Sequence, residues 1–228
     1  MNNLPVGQRR LIIMARHPTP GTVKTRLCPP LTAVEASELY VAFTDDCVAE
    51  STSSKWSTHI AVHPPESCDY FKKRYSGLSG THPQLGSDLG SRMGHAFATL
   101  FEEAGPVLMR SSDSPLLSAA LIEKAFLTLE NDADAVLSYD QGGGYSLVGS
   151  RKAVPGLFDM EMSTLSVFDE TLRRLLAAEL RVEILDPCPD VDIIDDLLKL
   201  KDILQEGAAL CEKTAAWIRE NENHLSRF

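Results

Sequence analysis

The amino-acid sequence predicts an α/β fold with three layers, in which helices cover both faces of a mostly parallel β-sheet. Short apolar runs, which are typical of buried strands, alternate along the chain with longer segments of helical periodicity. Prolines and glycines mark the boundaries between these segments. With 228 residues, of which 43% are hydrophobic, the chain can bury one core. We therefore expect a single domain over 1–228, with residues 208–228 as a C-terminal helical extension.

The first strand and the first helix have clear boundaries. Residues 10–16 (RLIIMAR) form an apolar run between basic residues, which suits a buried parallel strand. Two prolines and a glycine within residues 17–21 exclude both helix and sheet, so a loop begins there. Thr32 and Glu35 have the spacing of a capping box, which predicts a long helix that ends near residue 50.

The other elements follow from the same patterns of periodicity. The predicted strands cover residues 59–65, 107–111, 133–139, 145–149 and 181–185. The predicted helices cover residues 68–75, 89–103, 117–130 and 165–178, helical material from residue 193 onward, and a last amphipathic helix over 208–223. Residues 76–87 are rich in Gly, Ser, Thr and Pro, so we predict a loop for them.

Composition and charge argue against several classes of function. The net charge of −10 argues against a nucleic-acid surface, because phosphate contacts need clustered Lys and Arg. No apolar run approaches the roughly 20 residues that cross a bilayer, and the pattern of a signal peptide is missing, so we expect no membrane span. Five cysteines without a C-x-x-C spacing fit reduced thiols and a cytoplasmic protein.

The start of this acidic chain is basic. Residues 1–34 hold five Lys and Arg side chains and no Asp or Glu, which predicts a local anion site. Gly21 would let backbone amides approach a ligand, and Lys24 and Arg26 supply charge for a diphosphate. The spacing excludes a Walker loop. A solvated basic loop without a ligand is the alternative interpretation.

Two acidic segments follow predicted strands, where ligands bind in open α/β sheets. Asp113 comes directly after the strand at 107–111, where a carboxylate is suited to hold Mg²⁺ or Mn²⁺ against phosphates. The same residue is equally suited to a turn that enters a helix. Asp190 and Asp192 precede the last helical region, either as part of a site or as a helix cap with a charged first turn.

Six segments resemble, in order and over about residues 10–200, the successive motifs of a known group of proteins. They are MARHPTPGTVKTRLCPPLTAVEASELY, QLGSDLGSRMGHAF, VLMRSSDSPLLSAALIEKAF, GGGYSLVG, MSTLSVFDETLRRL and PDVDIIDDL. They are similar to an uncharacterised group of bacterial transferases in the GT-A superfamily, related to the MobA-like and CofC-like nucleotidyltransferases. The resemblance implies a nucleotide-diphospho-sugar transferase fold, which is Rossmann-like.

The resemblance also implies roles for individual residues. Asp113 would be catalytic and, with Asp192, would bind the Mg²⁺ or Mn²⁺ cofactor. The Ser163 and Thr164 pair matches a feature on the acceptor side. The nucleotide and the substrate would contact the following residues: Arg16, Pro20, Gly21, Lys24, Thr25, Arg26, Asp88, Arg92, Gly143, Gly144, Ser163 and Thr164.

The glycine-rich segment departs from the group's pattern. Members usually have Asp-Gly-Gly-Tyr where this chain has Gly142 in the position of the aspartate. Asp140, two residues earlier, would then supply the catalytic carboxylate. Met162 stands where an aromatic residue usually precedes the Ser-Thr pair.

These observations leave three hypotheses open. The first is a metal-dependent glycosyltransferase that transfers sugar from a nucleoside-diphosphate sugar to a small-molecule acceptor. The second is a nucleotidyltransferase that joins a nucleoside triphosphate to a phosphorylated small molecule. The third is a protein without catalysis that binds a nucleotide or a partner, because of Gly142. The extra C-terminal helix, which also supports the third hypothesis, would either pack on its own domain or dock a partner or a second subunit in a homodimer.

Overall fold

The computed structural model describes residues 8–101, 105–162, 164–206 and 210–225. Its sheet is built from seven strands: β1 (Arg10–Arg16), β2 (Ser57–His63), β3 (Gly80–Pro83), β4 (Val107–Ser111), β5 (Ala135–Tyr139), β6 (Tyr145–Ser150) and β7 (Val182–Leu185). Their order across the sheet is β3-β2-β1-β4-β6-β5-β7. Neighbouring strands are parallel except where β6 pairs with β4 and with β5. The predicted mostly parallel α/β fold is confirmed.

Helices follow most of the strands. They are α1 (Ala33–Ser51), α2 (Cys68–Arg74), α3 (Leu89–Leu100), α4 (Ala119–Asn131), α5 (Val167–Ala177), α6 (Ile194–Gln205), α7 (Glu212–Glu220) and α8 (Glu222–Leu225). The capping box that begins α1 is present, because the Glu35 N–H donates to Thr32 and the Thr32 N–H donates to the Glu35 carboxylate. No helix within the described residues is long and apolar enough to cross a membrane.

The side chains of β1 show how the layers are arranged. Ile12 points to one face of the sheet, where it packs in a core cluster with residues of α3 and α5. Leu11 and Ile13 point to the opposite face, toward clusters that include residues of α4 and α2. Alternate residues of a strand face opposite sides of its sheet. Since both faces of β1 are buried, its sequence is apolar throughout rather than alternating.

The loop prediction for residues 76–87 is wrong in part, because β3 lies within it. This strand has four residues, includes Gly80 and Pro83, and lies at the edge of the sheet beside β2. Glycine and proline are depleted in strands, and proline is tolerated at an edge because no further strand needs its N–H. So short a strand has no hydrophobic periodicity of its own, and pairing with β2 determines it.

The C-terminal helices pack on the body of the protein. The buried Asp46 carboxylate of α1 accepts hydrogen bonds from the Lys213 N–H at 3.0 Å and from the Thr214 N–H at 2.8 Å. Trp217 and Ile218 join a core cluster with residues of α1 and α6. The expected start of the last helix at 208–209 and the expected end of α3 at 102–103 lie outside the described residues.

Candidate active site

A cleft of about 610 Å³ opens at the carboxyl ends of the central strands. Its walls come from the loops after β1, β3 and β4, from the end of β2, from the start of α3, and from the glycine-rich segment before β6. From β1 the chain continues to β2 on one side, whereas β4 lies on the other side. Open α/β sheets bind ligands where the strand order reverses in this way, and the volume suits a small molecule.

Lys24 lies at the centre of the acidic side of the cleft. Its backbone is left-handed (φ 48°), which is uncommon for a residue with a side chain, and it precedes the 3-10 helix Thr25–Leu27. The buried ammonium donates to the Val191 carbonyl at 2.7 Å and contacts the carboxylates of Asp113 at 3.0 Å and Asp192 at 3.1 Å. Burial alone would lower the pKa of Lys24, but the two carboxylates outweigh burial and hold the pKa above its usual value.

Arg110 positions the loop that carries Asp113. Arg110 is 1% exposed and lines the cleft. The guanidinium donates to the carbonyls of Ser111 at 3.2 Å and Ser114 at 2.7 Å, which flank Asp113, and to the Leu117 carbonyl at 3.2 Å. A buried charge is stable only when its donors are satisfied, so these bonds fix the course of the loop.

The segment before α6 lies beside this loop. The Val191 N–H donates to the Asp113 carbonyl at 3.0 Å, and the Ser114 hydroxyl donates to the Asp190 carboxylate. Burial and the charge of Asp113 raise the pKa of Asp190 above its usual range. Helix α6 has its N-cap one residue after Asp192, so the interpretation of the two aspartates as helix caps is wrong.

The Asp140 side chain binds the backbone of the glycine-rich segment. Its Oδ1 accepts the N–H groups of Gly142 at 2.7 Å and Gly144 at 2.9 Å, and the residue lines the cleft. Burial raises the pKa of Asp140, the two N–H donors oppose that rise, and the Asp192 charge adds to it. The segment thus brings a carboxylate to the cleft although Gly142 has no side chain.

A cationic wall, which we define as Arg16, His63 and Arg92, lies on the β2 side of the same cleft. Arg16 and His63 are register partners at the ends of β1 and β2. Arg92 lies in the first turns of α3. Burial and the positive charges of Arg92 and Arg16 lower the pKa of His63.

The acidic side has the charge and chemistry to accept a divalent cation. Asp113, Asp140, Asp190 and Asp192 line the cleft, and Lys24 is the buried cation among them. Mg²⁺ is typically held by one or two carboxylates together with substrate phosphates and water, so a complete protein cage is not required. Within the residues described here, no three His, Cys, Asp or Glu side chains form such a cage. Asp113 and Asp192 are the residues that would hold the ion.

Most of the predicted site residues meet in this cleft. Those that line it are Arg16, Lys24, Thr25, Arg26, Arg92, Asp113, Asp140, Gly144, Thr164 and Asp192. Pro20, Gly21 and Gly143 belong to the loops that bound the cleft but do not line it. Ser163 lies outside the described residues.

Asp88 was expected in the main cleft, and the structure places it elsewhere. Its carboxylate is the N-cap of α3, where it accepts the Ser91 N–H at 2.8 Å and the Ser87 hydroxyl at 2.9 Å. It lies in a neighbouring groove rather than in the main cleft. The pattern Asp-x-x-Ser was a capping signal in the sequence, and it explains why this side chain turns toward its own helix.

Three residues of the site were missed by sequence reasoning. The Tyr40 hydroxyl accepts the Arg16 N–H at 2.8 Å and lies 2.8 Å from the Ser112 hydroxyl, which ties the first loop to the loop of Asp113. In the sequence, the helical spacing of Tyr40 identified it only as an apolar contact of α1. Arg110 is a charged residue within a buried strand, and that contrast was a usable signal. His63 had no local signal, because its role depends on pairing with β1.

Solved structures of other proteins share this fold. A protein from Desulfovibrio desulfuricans G20, provisionally described as a nucleotide-diphospho-sugar transferase, is 28% identical with a TM-score of 0.89, and the match covers 97% of this chain and 98% of that one. The 4-diphosphocytidyl-2C-methyl-D-erythritol synthase of Anaerococcus prevotii DSM 20548 is 10% identical with a TM-score of 0.56, over 87% and 97% of the chains. A CMP:2-keto-3-deoxy-manno-octonic acid synthetase solved with CTP is 11% identical with a TM-score of 0.51, over 89% and 100%. No curated protein matches the chain significantly.

The fold and the cleft define the class of this protein: a transferase enzyme with the nucleotide-diphospho-sugar transferase fold. Residues 47–164 match a family described as uncharacterized protein conserved in bacteria (DUF2064). The chain belongs to that family.

Proposed function

We propose that this protein is a metal-dependent glycosyltransferase that uses a nucleoside-diphosphate sugar as donor and a small molecule as acceptor. The observation that carries the proposal is the group of carboxylates around Lys24 at the end of β4, in a cleft at the reversal of strand order. The similarity to the Desulfovibrio protein over nearly the whole chain supports the choice of donor.

The roles of the residues follow from their charges. Asp113 and Asp192 would hold Mg²⁺ or Mn²⁺, which as a Lewis acid would stabilise charge on the departing diphosphate. Lys24 and Arg26 would neutralise the negative charge that develops on the departing diphosphate. Asp140 would accept the proton of the acceptor hydroxyl, because a carboxylate with a raised pKa is a better base than an ordinary one.

The experiment compares Asp113→Asn with the wild type. A panel of nucleoside-diphosphate sugars and nucleoside triphosphates, each with and without Mn²⁺, is screened by thermal shift, and turnover is then measured with the nucleotides that bind. We expect the variant to lose metal-dependent turnover by about 10²-fold or more, because the ion's charge would no longer be held against the phosphates. Asp186→Asn is the matched control, since this aspartate is exposed and pairs with Lys124. Full metal-dependent turnover by Asp113→Asn would refute the proposal.

A nucleotidyltransferase is the second candidate. Two solved neighbours of the same fold are named as synthetases of cytidylyl compounds, one of them solved with CTP. The cationic wall adds to this, because it provides positive charge beyond the Lys24 side of the cleft. Release of pyrophosphate from a nucleoside triphosphate in the presence of a phosphorylated acceptor, without release of a free nucleoside diphosphate, distinguishes this reaction from sugar transfer.

The third hypothesis, a protein without catalysis, rested on Gly142 and on the extra C-terminal helix. Asp140 brings a carboxylate to the cleft beside Gly142, which weakens the argument from that glycine. If Asp140 replaces the missing aspartate, Asp140→Asn should have lower activity than the wild type.

A further inference from the structure

The cationic wall carries polar groups without partners. The Nε of Arg92 and the Nδ1 of His63 are buried and have no hydrogen-bond partner among the described residues. Arg16 and Arg92 make no ion pair within 4.0 Å with any carboxylate of the described residues. Buried polar groups of folded proteins are almost always hydrogen-bonded, so an unpaired one in a cleft needs an explanation.

The acidic residues near this wall make no direct ion pair with it. Asp88, one turn before Arg92, is exposed, and its carboxylate accepts the Ser87 hydroxyl and the Ser91 N–H, so solvent screens its attraction for Arg92. Glu66 is exposed, and its charge raises the pKa of His63 less than burial and the two arginines lower it. The charge of Lys24, by contrast, is balanced by two carboxylates across the cleft. The wall therefore carries positive charge without a direct carboxylate partner.

We propose that Arg16, His63 and Arg92 form a phosphate-binding subsite, separate from the diphosphate contacts of Lys24 and Arg26. Guanidinium groups bind phosphate oxygens with strong hydrogen bonds, and the wall brings two of them together with an imidazole and the positive end of α3. The phosphate is either the terminal one of a nucleoside triphosphate or that of a phosphorylated acceptor. The inference rests on the proposed function only in placing the substrates in this cleft.

The test measures binding of inorganic phosphate by titration calorimetry at constant ionic strength. We expect saturable binding by the wild type and an affinity about tenfold lower in Arg16→Gln and in Arg92→Gln, because each removes one charge-assisted contact. Arg151→Gln, at an exposed arginine outside the cleft, should bind phosphate like the wild type. Thermal melting verifies that each variant is folded, and the exposed side chain of Arg16 makes that variant the safer one.

Two results would overturn the subsite. The first is that the wild type shows no saturable phosphate binding below about 10 mM, because so weak an affinity does not correspond to a built site. The second is that Arg16→Gln, Arg92→Gln and Arg151→Gln bind phosphate with equal affinity. If binding follows the expected pattern, it is repeated with a nucleoside triphosphate at saturation. Displacement of phosphate identifies the terminal phosphate of the nucleotide as the occupant, whereas retained binding identifies the acceptor's phosphate. Asp113→Asn should keep phosphate binding, so loss of turnover and loss of the subsite are separable.

The pH dependence of sulfate binding tests the role of His63, because sulfate keeps its charge over the pH range in which imidazole titrates. The groups around His63 are Arg16, Arg92 and Glu66, and with burial they leave its pKa below the usual value. Protonation adds a positive charge to the wall, so sulfate affinity should rise about threefold or more as pH falls from about 8 to about 5.5. The rise should be smaller in His63→Asn, where protonation of Asp140 and Asp190 in the same cleft still removes negative charge as pH falls. An equal rise in that variant would remove His63 from the subsite.

Discussion

Replacing Lys24 with methionine tests the electrostatic centre of the cleft. The ammonium is 4% exposed and makes three contacts, at 2.7 Å, 3.0 Å and 3.1 Å, to one carbonyl and two carboxylates. Each hydrogen bond that involves a charged group contributes about 1.5–3 kcal/mol. Asp113 and Asp192 are 35% and 46% exposed, so water would replace part of what they lose.

We therefore expect Lys24→Met to lose about 2–3 kcal/mol of unfolding free energy without metal, well below the sum of its contacts. For a chain of this size, that loss lowers the melting temperature by about 4–12 °C. Lys55→Met is the matched control. Lys55 is 54% exposed and pairs with Glu123 at 2.6 Å on the surface, so its removal should cost less than about 1 kcal/mol.

The same variant tests the divalent cation. Without the ammonium, the carboxylates should bind Mn²⁺ or Mg²⁺ more tightly than in the wild type, and a ligand at 100 times its Kd stabilises the folded state by about 2.7 kcal/mol. Scanning calorimetry with and without metal should therefore show a larger upward shift for Lys24→Met than for the wild type. A melting temperature that matches the wild type without metal, or a metal shift no larger than that of Lys55→Met, would refute this reasoning.

Three further changes test other parts of the structure. Arg110→Met should lower the unfolding free energy in urea by about 3 kcal/mol or more, because several buried carbonyls lose their donor. Gly143→Ala should lower the melting temperature, since φ is +93° there and a Cβ would clash with neighbouring backbone, whereas Gly142→Ala should hardly change it. In urea titrations, Asp190→Asn should gain stability relative to the wild type as pH rises from about 4 to about 8. The raised pKa of Asp190 in the folded state makes its protonation stabilising at low pH, and the wild type loses that contribution as pH rises through the folded pKa.

For each of these predictions, one result would contradict the reasoning behind it. A wild-type urea midpoint for Arg110→Met would mean that the loop after β4 is held by other contacts. Equal melting temperatures for the two glycine variants would remove the argument from backbone conformation. A constant stability difference between Asp190→Asn and the wild type across pH would show that Asp190 has an ordinary pKa.

The elements with strong local signals were predictable. The apolar run of β1 and the capping box of α1 each determine their structure within a few residues, so the sequence was sufficient for both. The position of Asp113 after a buried strand likewise identified it as a candidate for the site. β3 was not predictable, because a four-residue strand with Gly80 and Pro83 has its hydrogen-bond partners on β2 rather than in its own segment.

The site was predictable in its residue types but not in its arrangement. Asp113 and Asp192 were candidates from the sequence, yet nothing in it showed that Lys24 would lie between them. Asp190 remained ambiguous, because an aspartate before a helix is equally suited to cap it. The Ser114 hydroxyl, which comes from another loop, resolves that ambiguity.

By itself the sequence determined the order of the strands and helices other than β3, the basic first loop and the carboxylates that follow the strands, because these depend on contacts between residues near one another in the chain. The tertiary structure alone decided which charges meet. Arg16 and His63 are 47 positions apart in the numbering and Lys24 and Asp192 are 168 apart, yet each pair faces the same cleft. Sheet register and the crossing of loops at one edge bring such pairs together, and neither depends on local periodicity.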